Sequence, residues 1–212
     1  MDKITATRTA RMADEIEKIY SLSPEVKEAI AKTNREAFVA TGFKHSAYKL
    51  DALPIGEAQF ISSPLTVAKM TEYLFPRGAD RVLEIGCGSG YQAAVLAQLF
   101  RGVFTIERIE PLMIQAKQRF KNLGIHNIHT RTDDGQNGWV SYAPYDRILF
   151  SATAKEIPTK LFDQLADGGI LVAPMERDGK QVITRFIKNG DSIEEEELED
   201  CDFVPVLDGV QH

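Results

Sequence analysis

The sequence lacks the features that mark several whole classes of protein. It has two cysteines, Cys87 and Cys201, far apart in the chain and without the spacing of a metal site or a disulfide framework. No apolar run approaches the roughly 18 residues of a membrane span. The first residues also lack the apolar core of a secretory signal. We therefore expect a cytoplasmic protein whose thiols are reduced.

Positive charge and clustered histidines are also scarce. The chain has 25 Lys and Arg against 31 Asp and Glu, which gives a formal net charge of −6. Duplex nucleic acid and anionic membrane surfaces are therefore not expected as main partners. The four histidines show no metal-ligand spacing, so no metal is expected. The nucleophile elbow of the hydrolases and the phosphate loop of the nucleotide hydrolases are missing as well.

What is present describes an ordinary globular chain. The hydrophobic share is 43% and the charged share 26%, close to the globular average. For 212 residues we expect a single domain with an added segment. We place a helical extension with an active-site loop at residues 8–79 and an α/β core at 80–212.

The extension is predicted from its cap residues and apolar spacing. Ser23 followed by Pro24 is a good helix start, and Pro64 is predicted to open another helix. Residues 44–60 have no regular period and contain Pro54 and Gly56. This stretch is predicted to be an irregular and functional loop.

From residue 80 the pattern alternates between strand and helix, which predicts a doubly wound, mostly parallel sheet. Near the C-terminus the alternation stops, and the Asn189-Gly190 turn signal predicts antiparallel strands at the end of the sheet. The fold class is therefore α/β. The predicted strands are 81–85, 103–106, 125–130, 145–150, 170–173, 181–187 and an extended stretch at 195–206.

The strongest chemical signal is the glycine loop Glu84-Ile-Gly86-Cys-Gly88-Ser-Gly90-Tyr91, which follows a strand and opens a helix. Glycines allow a tight turn there, and the helix N-terminus offers free N–H groups to a ligand. The dinucleotide fingerprint needs glycine or alanine where this chain has Tyr91, which weakens a dehydrogenase. The observed G-x-G-x-G spacing resembles motif I of the class I S-adenosylmethionine-dependent methyltransferases.

Two further positions fit a nucleoside-containing cofactor. Glu107 stands at the end of the second predicted strand, where a carboxylate accepts hydrogen bonds from ribose hydroxyls. Its alternative is a solvated loop residue. Asp134-Gly135 follows the third predicted strand, and Asp134 is a candidate acceptor for an adenine amino group. The alternative for this pair is a simple Asp-Gly turn.

Beyond the cofactor loop, the chain resembles the protein-L-isoaspartate O-methyltransferases from about residue 35 to 207. The Ile-Ser-x-Pro element before motif I and the Phe-Val-Pro element near the C-terminus are much more specific to this family than motif I. The landmarks are Asn34–Phe38, Leu53–Gly56, Ile61–Pro64, Val82–Gly86, Phe104–Arg108, Asp134-Gly135, Gly138-Trp139, Tyr145-Asp146, Ile157-Pro158, Gly168–Val172 and Phe203–Pro205.

The resemblance implies a role for each matching position. Ser62 is implied as the active-site serine, which also binds substrate. The backbone of Phe203, Val204 and Pro205 is implied to hold the substrate peptide in an extended form. The residues implied to bind the cofactor, S-adenosyl-L-methionine, are Gln59, Phe60, Ile61, Glu84, Gly86, Gly88, Gly90, Glu107, Asp134 and Gly135.

The implied reaction is methyl transfer to the free carboxylate of L-isoaspartyl residues, with S-adenosyl-L-homocysteine as product. The methyl ester then collapses to a succinimide, and hydrolysis returns some normal aspartate. A carboxylate is already ionised at neutral pH, so no general base is needed. A hydroxyl at Ser62 is suited to orient it. Ser63 is better placed than Ser62 to cap the helix that starts at Pro64.

Three positions depart from the family pattern: Phe60, Lys155 and Asp202. They bear on the methyl-transfer end and the substrate groove, and they leave room for a class I methyltransferase acting on a small molecule. A non-catalytic module that only binds the cofactor is the other alternative. The acidic run 194–202 is interpreted as a solvated strand face, or as a bias against acidic peptides. The expected partners are isoaspartyl-containing proteins and peptides, bound by a monomer.

Overall fold

A computed structural model describes all residues, 1–212. Three helices precede the sheet, and Asp2 caps the first of them by accepting a hydrogen bond from the Thr5 N–H at 2.9 Å. None of the helices combines the length and apolar character needed to cross a bilayer. The helices are α1 Lys3–Ile19, α2 Pro24–Lys32, α3 Pro64–Tyr73, α4 Tyr91–Leu96, α5 Glu110–Leu123 and α6 Thr159–Asp163.

Nine strands form two sheets. A small sheet pairs β1 with β2, and the main sheet holds seven strands in the order β5-β4-β3-β6-β7-β8-β9. The strands are β1 Leu53–Gly56, β2 Gln59–Ile61, β3 Arg81–Ile85, β4 Gly102–Glu107, β5 Ile128–Thr132, β6 Tyr145–Phe150, β7 Leu165–Arg177, β8 Lys180–Asn189 and β9 Ser192–Asp200.

The predicted fold class is confirmed by the pairing of the main sheet. Strands β5, β4, β3, β6 and β7 run parallel, while β8 and β9 complete the sheet antiparallel. After β3 the chain adds β4 and β5 on one side of it and then β6 and β7 on the other, so the strand order reverses between β3 and β6. In doubly wound sheets, ligands bind at such a switch point, outside the carboxyl ends of the strands.

Apolar side chains cover both faces of the main sheet. One cluster of 36 buried residues joins α1, α2 and α3 to one face, and a second cluster of 14 fills the other. The predicted stripe Val26, Ala29 and Ile30 of α2 is buried in the first cluster. Because the extension shares this core, it is held against the sheet by packing as well as by the chain connection.

Residues 44–60 are more regular than predicted. Within them, β1 pairs with β2 in an antiparallel hairpin, with a register shift between Pro54 and Gly56. Proline and glycine are typical of such a bulge, and each strand is too short to show an alternating pattern. The turn places Glu57 and Ala58 at positive φ. The prediction of a wholly irregular loop is therefore wrong for the hairpin.

The end of the chain also differs from its prediction. Strand β9 ends at Asp200, and residues 201–206 leave the sheet edge instead of continuing the strand to 206. The Cys201 N–H still bonds to the Gln181 carbonyl at 2.8 Å, and the chain then turns towards the carboxyl ends of the parallel strands. Strand β9 itself is the sheet edge and carries exposed glutamates, Glu194–Glu197, three of them in ion pairs or hydrogen bonds with Arg177 and Arg185.

Candidate functional site

An open cavity lies at the carboxyl ends of β3, β4 and β6. One wall comes from the sheet and its loops. The opposite wall comes from β2, from α3 and from residues 203–207. More than half of the lining residues are apolar, as in most sites for small organic ligands.

The structure brings together most of the residues predicted for the site. Three of them do not line the cavity: Glu84, Gly90 and Asp134. Those that line it are Gln59, Phe60, Ile61, Ser62, Gly86, Gly88, Glu107, Gly135, Phe203, Val204 and Pro205.

The glycine loop is anchored on the neighbouring strand. The N–H groups of Gly86 and Cys87 both donate to the carbonyl of Ile106, at 2.9 and 3.2 Å. Gly90 turns away from the cavity at φ 89°, and a Cβ there would lie 2.6 Å from Phe120 Cζ. In this structure Gly90 therefore allows α5 to pack closely against the loop, whereas Gly86 and Gly88 line the cavity.

Glu107 links the glycine loop to the start of α5. Its Oε2 accepts from the Gly88 N–H at 2.8 Å and its Oε1 from the Ile109 N–H at 2.9 Å. Burial raises the pKa of this carboxyl, while the backbone N–H groups of Ile109, Gly88 and Arg108 oppose the rise. A carboxylate oxygen can accept more than one hydrogen bond, so both oxygens retain capacity for ligand hydroxyls. Glu107 is 6% exposed and is not a solvated loop residue.

Glu84 lies beneath the loop and not in the cavity wall. It is fully buried, and the Thr105 hydroxyl donates a hydrogen bond to its Oε2. Burial raises the pKa of Glu84 to about 8, and the nearby Glu107 charge adds to the rise. Burial likewise raises the pKa of the Cys87 thiol, so this cysteine stays protonated and is not a nucleophile.

Asp134 is used within the protein. Its Oδ1 accepts from the Gln136 N–H and its Oδ2 from the Gly209 N–H, both at 3.0 Å. Locally, Asp134 therefore forms the simple turn that was the alternative for this residue. It also binds the C-terminal segment through Gly209. Gly135 does line the cavity, and a Cβ there would lie 2.4 Å from Ile85 Cγ2. Only glycine allows the backbone to pass so close to the end of β3.

The two serines before α3 have different surroundings. Ser63 caps the helix, as predicted, because its Oγ accepts from the Thr66 N–H at 3.0 Å. The Ser62 hydroxyl lines the cavity and has no hydrogen-bond partner within the protein. Because it has no partner, the Ser62 hydroxyl is free to bond to a ligand. Phe60, one of the departures from the family pattern, lies at the same wall and is 55% exposed.

The segment 203–205 runs along the cavity in extended form. Gln181 holds Phe203 by accepting from its N–H at 2.6 Å and donating to its carbonyl at 3.0 Å. The Thr153 N–H donates to the Val204 carbonyl at 2.8 Å. The Val204 N–H has no acceptor within the protein, which leaves a backbone donor beside the cavity.

Arg108 is a site residue that sequence reasoning did not identify. It lines the cavity and donates to the carbonyls of Gly209 and Asp208 at 3.0 and 3.4 Å and to the Gln211 side chain at 3.3 Å. These bonds tie the last residues of the chain to the end of β4, next to the cavity lining. No local pattern could show this, because the partners are about a hundred residues apart in sequence.

Taken together, the site belongs to one class of protein. It combines a doubly wound sheet, a glycine loop on the first strand of the core and a buried carboxylate at the end of the next strand. These are the fold and the cofactor site of a class I S-adenosylmethionine-dependent methyltransferase.

Comparison with known proteins narrows the class to a family. The family model described as Protein-L-isoaspartate(D-aspartate) O-methyltransferase matches residues 6–211. A protein-L-isoaspartate O-methyltransferase of Helicobacter pylori strain G27 is 57% identical over 201 residues, which cover 94% of this chain and 96% of the relative. One from Shewanella halifaxensis strain HAW-EB4 is 44% identical over 209 residues, 99% of each chain. The chain belongs to the protein-L-isoaspartate O-methyltransferase family.

Solved structures agree on the fold. A protein-L-isoaspartate O-methyltransferase superposes with a TM-score of 0.87 at 24% identity, covering 94% of this chain and 66% of the other. A protein from Plasmodium falciparum, described as a complex with S-adenosyl-L-homocysteine, superposes with a TM-score of 0.84 at 21% identity and covers 94% of this chain and 98% of that one. The fold class predicted from the sequence is that of these structures.

Proposed function

We propose that the cavity carries out the activity of this family: methyl transfer from S-adenosyl-L-methionine to the free carboxylate of L-isoaspartyl residues in damaged proteins and peptides. The ester formed starts repair through a succinimide. The observation that carries the proposal is the placement, in one cavity, of the glycine loop, the Glu107 carboxylate and the unpartnered Ser62 hydroxyl.

The lining residues fit the cofactor. The Glu107 carboxylate is suited to accept hydrogen bonds from ribose hydroxyls, and the backbone of Gly86, Gly88 and Gly135 allows close approach. Gln59, Phe60 and Ile61 would cover its methyl end. When bound, S-adenosyl-L-methionine supplies a methyl group on a positively charged sulfur, with S-adenosyl-L-homocysteine as product.

The protein's own part in the transfer is to orient the acceptor. An isoaspartyl carboxylate is ionised at neutral pH, so the site needs no base. The Ser62 hydroxyl would donate a hydrogen bond to that carboxylate, and the Val204 N–H would donate to a substrate carbonyl. Alignment of the carboxylate with the methyl group can supply several kcal/mol through proximity alone.

The organisation of the chain fits this activity. We place the division between a covering extension, 8–79, and a cofactor-binding core, 80–212, within one domain, because both parts line the same cavity. We propose a monomer, since a single chain supplies each group assigned to the cofactor and the substrate. The net charge of −6 favours proteins over nucleic acid as partners. Both cysteines are free thiols, in keeping with a cytoplasmic location.

The test is a methyl-transfer assay with matched peptides. The protein is incubated with S-adenosyl-L-methionine labelled in its methyl group and with two peptides that differ only in isoaspartate or aspartate at one position. We expect base-labile label on the isoaspartyl peptide alone. If calorimetry shows cofactor binding while neither peptide is labelled, the proposed activity is wrong.

A further inference from the structure

Arg35 is a fully buried arginine whose guanidinium group bonds only to main-chain carbonyls. Its Nη1 donates to the carbonyl of Ala47 at 2.7 Å, and its Nη2 donates to the carbonyls of Asp51 at 2.9 Å and Ser62 at 3.1 Å. The side chain is 0% exposed. Arg35 thus connects three parts of the chain: its own short helical turn, Arg35–Phe38, the segment 47–51 and the backbone of Ser62.

Ser62 itself has a single hydrogen bond within the protein, the one from Arg35 to its carbonyl. Strand β2 ends at Ile61 and α3 begins at Pro64, so Ser62 lies in a two-residue link between elements. The neighbouring residues are held by their own elements, because Ile61 pairs with Leu53 and Ser63 caps α3. The Arg35 bond to the Ser62 carbonyl is the one hydrogen bond that holds the Ser62 backbone itself.

The chemistry of this contact requires arginine. Its planar group carries five donors in a fixed arrangement, so it can bond to several carbonyls at once, whereas lysine offers a compact point charge. No carboxylate lies within ion-pairing distance of Arg35, and its Nε has no hydrogen-bond partner. A buried and unpaired charge is costly, so its presence here calls for a role beyond filling space.

We infer that Arg35 is a positioning residue for methyl transfer: it fixes the Ser62 backbone, and through it the hydroxyl that meets the substrate carboxylate. The guanidinium does not touch the reacting atoms. Its ring neighbour, Tyr91, lies 5.8 Å from it and lines the cavity. The inference rests on the proposed function, because it assigns Arg35 to the methyl-transfer step of that same site.

Arg147 provides a matched control. It also donates to main-chain carbonyls, those of Leu74, Phe75 and Asp146, at 2.6 to 3.1 Å. It does not line the cavity and contacts no residue of the Ser62 link. Replacing either arginine by lysine removes a comparable set of backbone contacts, but only Arg35→Lys loosens the serine.

The experiment compares wild type, Arg35→Lys and Arg147→Lys. Because a displacement of about 1 Å at a reacting group can cost roughly a hundredfold in rate, we expect Arg35→Lys to lower kcat about 10- to 100-fold. Its peptide KM and its cofactor Kd, measured by calorimetry, should stay within about threefold of wild type, because it acts on orientation and not on binding. Arg147→Lys, at a partly exposed position, should keep kcat within about threefold.

Three results would overturn the inference: full turnover in Arg35→Lys, an equal loss of kcat in Arg147→Lys, or a loss of cofactor binding that accounts for the lost rate. Absence of turnover in wild type contradicts the proposed function instead, so the two failures are distinguishable.

A second measurement does not depend on a variant that folds. The measurement is hydrogen exchange of the hydrogen-bonded amides in wild type, in residues 47–51 and in the β1–β2 hairpin. Since Arg35 joins these two segments, we expect the free energies of opening of the two sets of amides to agree closely. Independent exchange, with protection differing by more than about a hundredfold, would show that Arg35 does not couple them.

Discussion

The two walls of the cavity are built in different ways. The sheet wall stands on parallel strands whose residues bond backbone to backbone, with Gly86 and Cys87 fixed to Ile106. The covering wall consists of the three-residue strand β2, one side of helix α3 and the extended segment 203–207. Side chains from elsewhere hold it in place: Arg35 at Ser62, Gln181 at Phe203 and Arg108 at the last residues.

This difference indicates which wall governs which property. A wall held by a sheet is rigid and cooperative with the whole fold, so it is suited to a cofactor used in every cycle. A wall held by a few side-chain contacts opens at lower cost, which suits the passage of large peptide substrates. Substitutions in the sheet wall should therefore affect cofactor affinity, and those in the covering wall should affect turnover.

The largest effect is expected for Ser62→Ala. Loss of a preorganised donor to a reacting group lowers kcat by about a hundredfold, while cofactor affinity stays within a few fold of wild type. Steady-state kinetics and calorimetry measure the two. Ser63→Ala is the control: it removes a helix cap worth about 1 kcal/mol and should leave kcat nearly unchanged. A loss of cofactor binding in Ser62→Ala would move this residue to the cofactor site.

The next largest effect should come from the sheet wall. Glu107→Ala removes a charged acceptor for two hydroxyls and should weaken cofactor binding by about 10- to 100-fold. Calorimetric titration with S-adenosyl-L-homocysteine reads this directly. Glu110→Ala, which removes an exposed carboxylate of α5, is the control and should bind normally. Unchanged affinity in Glu107→Ala would refute the ribose role.

Glu84, which lies beneath the glycine loop, should make the stability of the fold depend on pH. In the folded protein its pKa is about 8, against an ordinary 4.5, so the native state holds the proton to higher pH than the unfolded chain. Stability from this group is complete below about pH 4.5 and declines as the pH rises towards about 8. Glu84→Gln should remove the decline.

Urea unfolding of both proteins between about pH 5 and about pH 8 measures the effect of Glu84. The stability of Glu84→Gln relative to wild type should increase with pH. A difference that stays constant over this range would show that Glu84 does not titrate as described.

The smallest effect should come from Arg108→Ala. It releases residues 208–211, which directly follow the cavity-lining segment 203–207, without removing a group from the reaction. The dissociation rate of S-adenosyl-L-homocysteine, measured by stopped flow, should rise a few fold, with little change in Tm. An unchanged rate would show that these residues do not limit escape of the product.

Local features of the fold were predictable from the sequence. The glycine loop, the Ser63 cap and the helix end at Gly124 each depend on residues within one turn of the chain. The β1–β2 hairpin was not predicted, because its strands are too short to carry a periodic signal. The contacts of Arg35 and Arg108 join distant positions, and a single sequence does not reveal them.

The candidate site shows the same division. A motif places Glu84, Gly90 and Asp134 near a cofactor, but it does not say which way a side chain points. In the structure the Glu84 side chain is buried against Thr105 of the neighbouring strand, and Gly90 lies against Phe120. The Asp134 carboxylate accepts from the Gly209 N–H. Gly86, Gly88 and Glu107 line the cavity because the loop and the strand end fix their backbone there.

The acidic edge strand β9 has a consequence for a protein that handles damaged chains. Such substrates expose extended segments, and an open sheet edge invites them to add as a further strand. The carboxylates of Glu194–Glu197 are exposed on that edge. A further strand that paired with β9 would have to desolvate these carboxylates. This cost disfavours aggregation with the protein's own substrates.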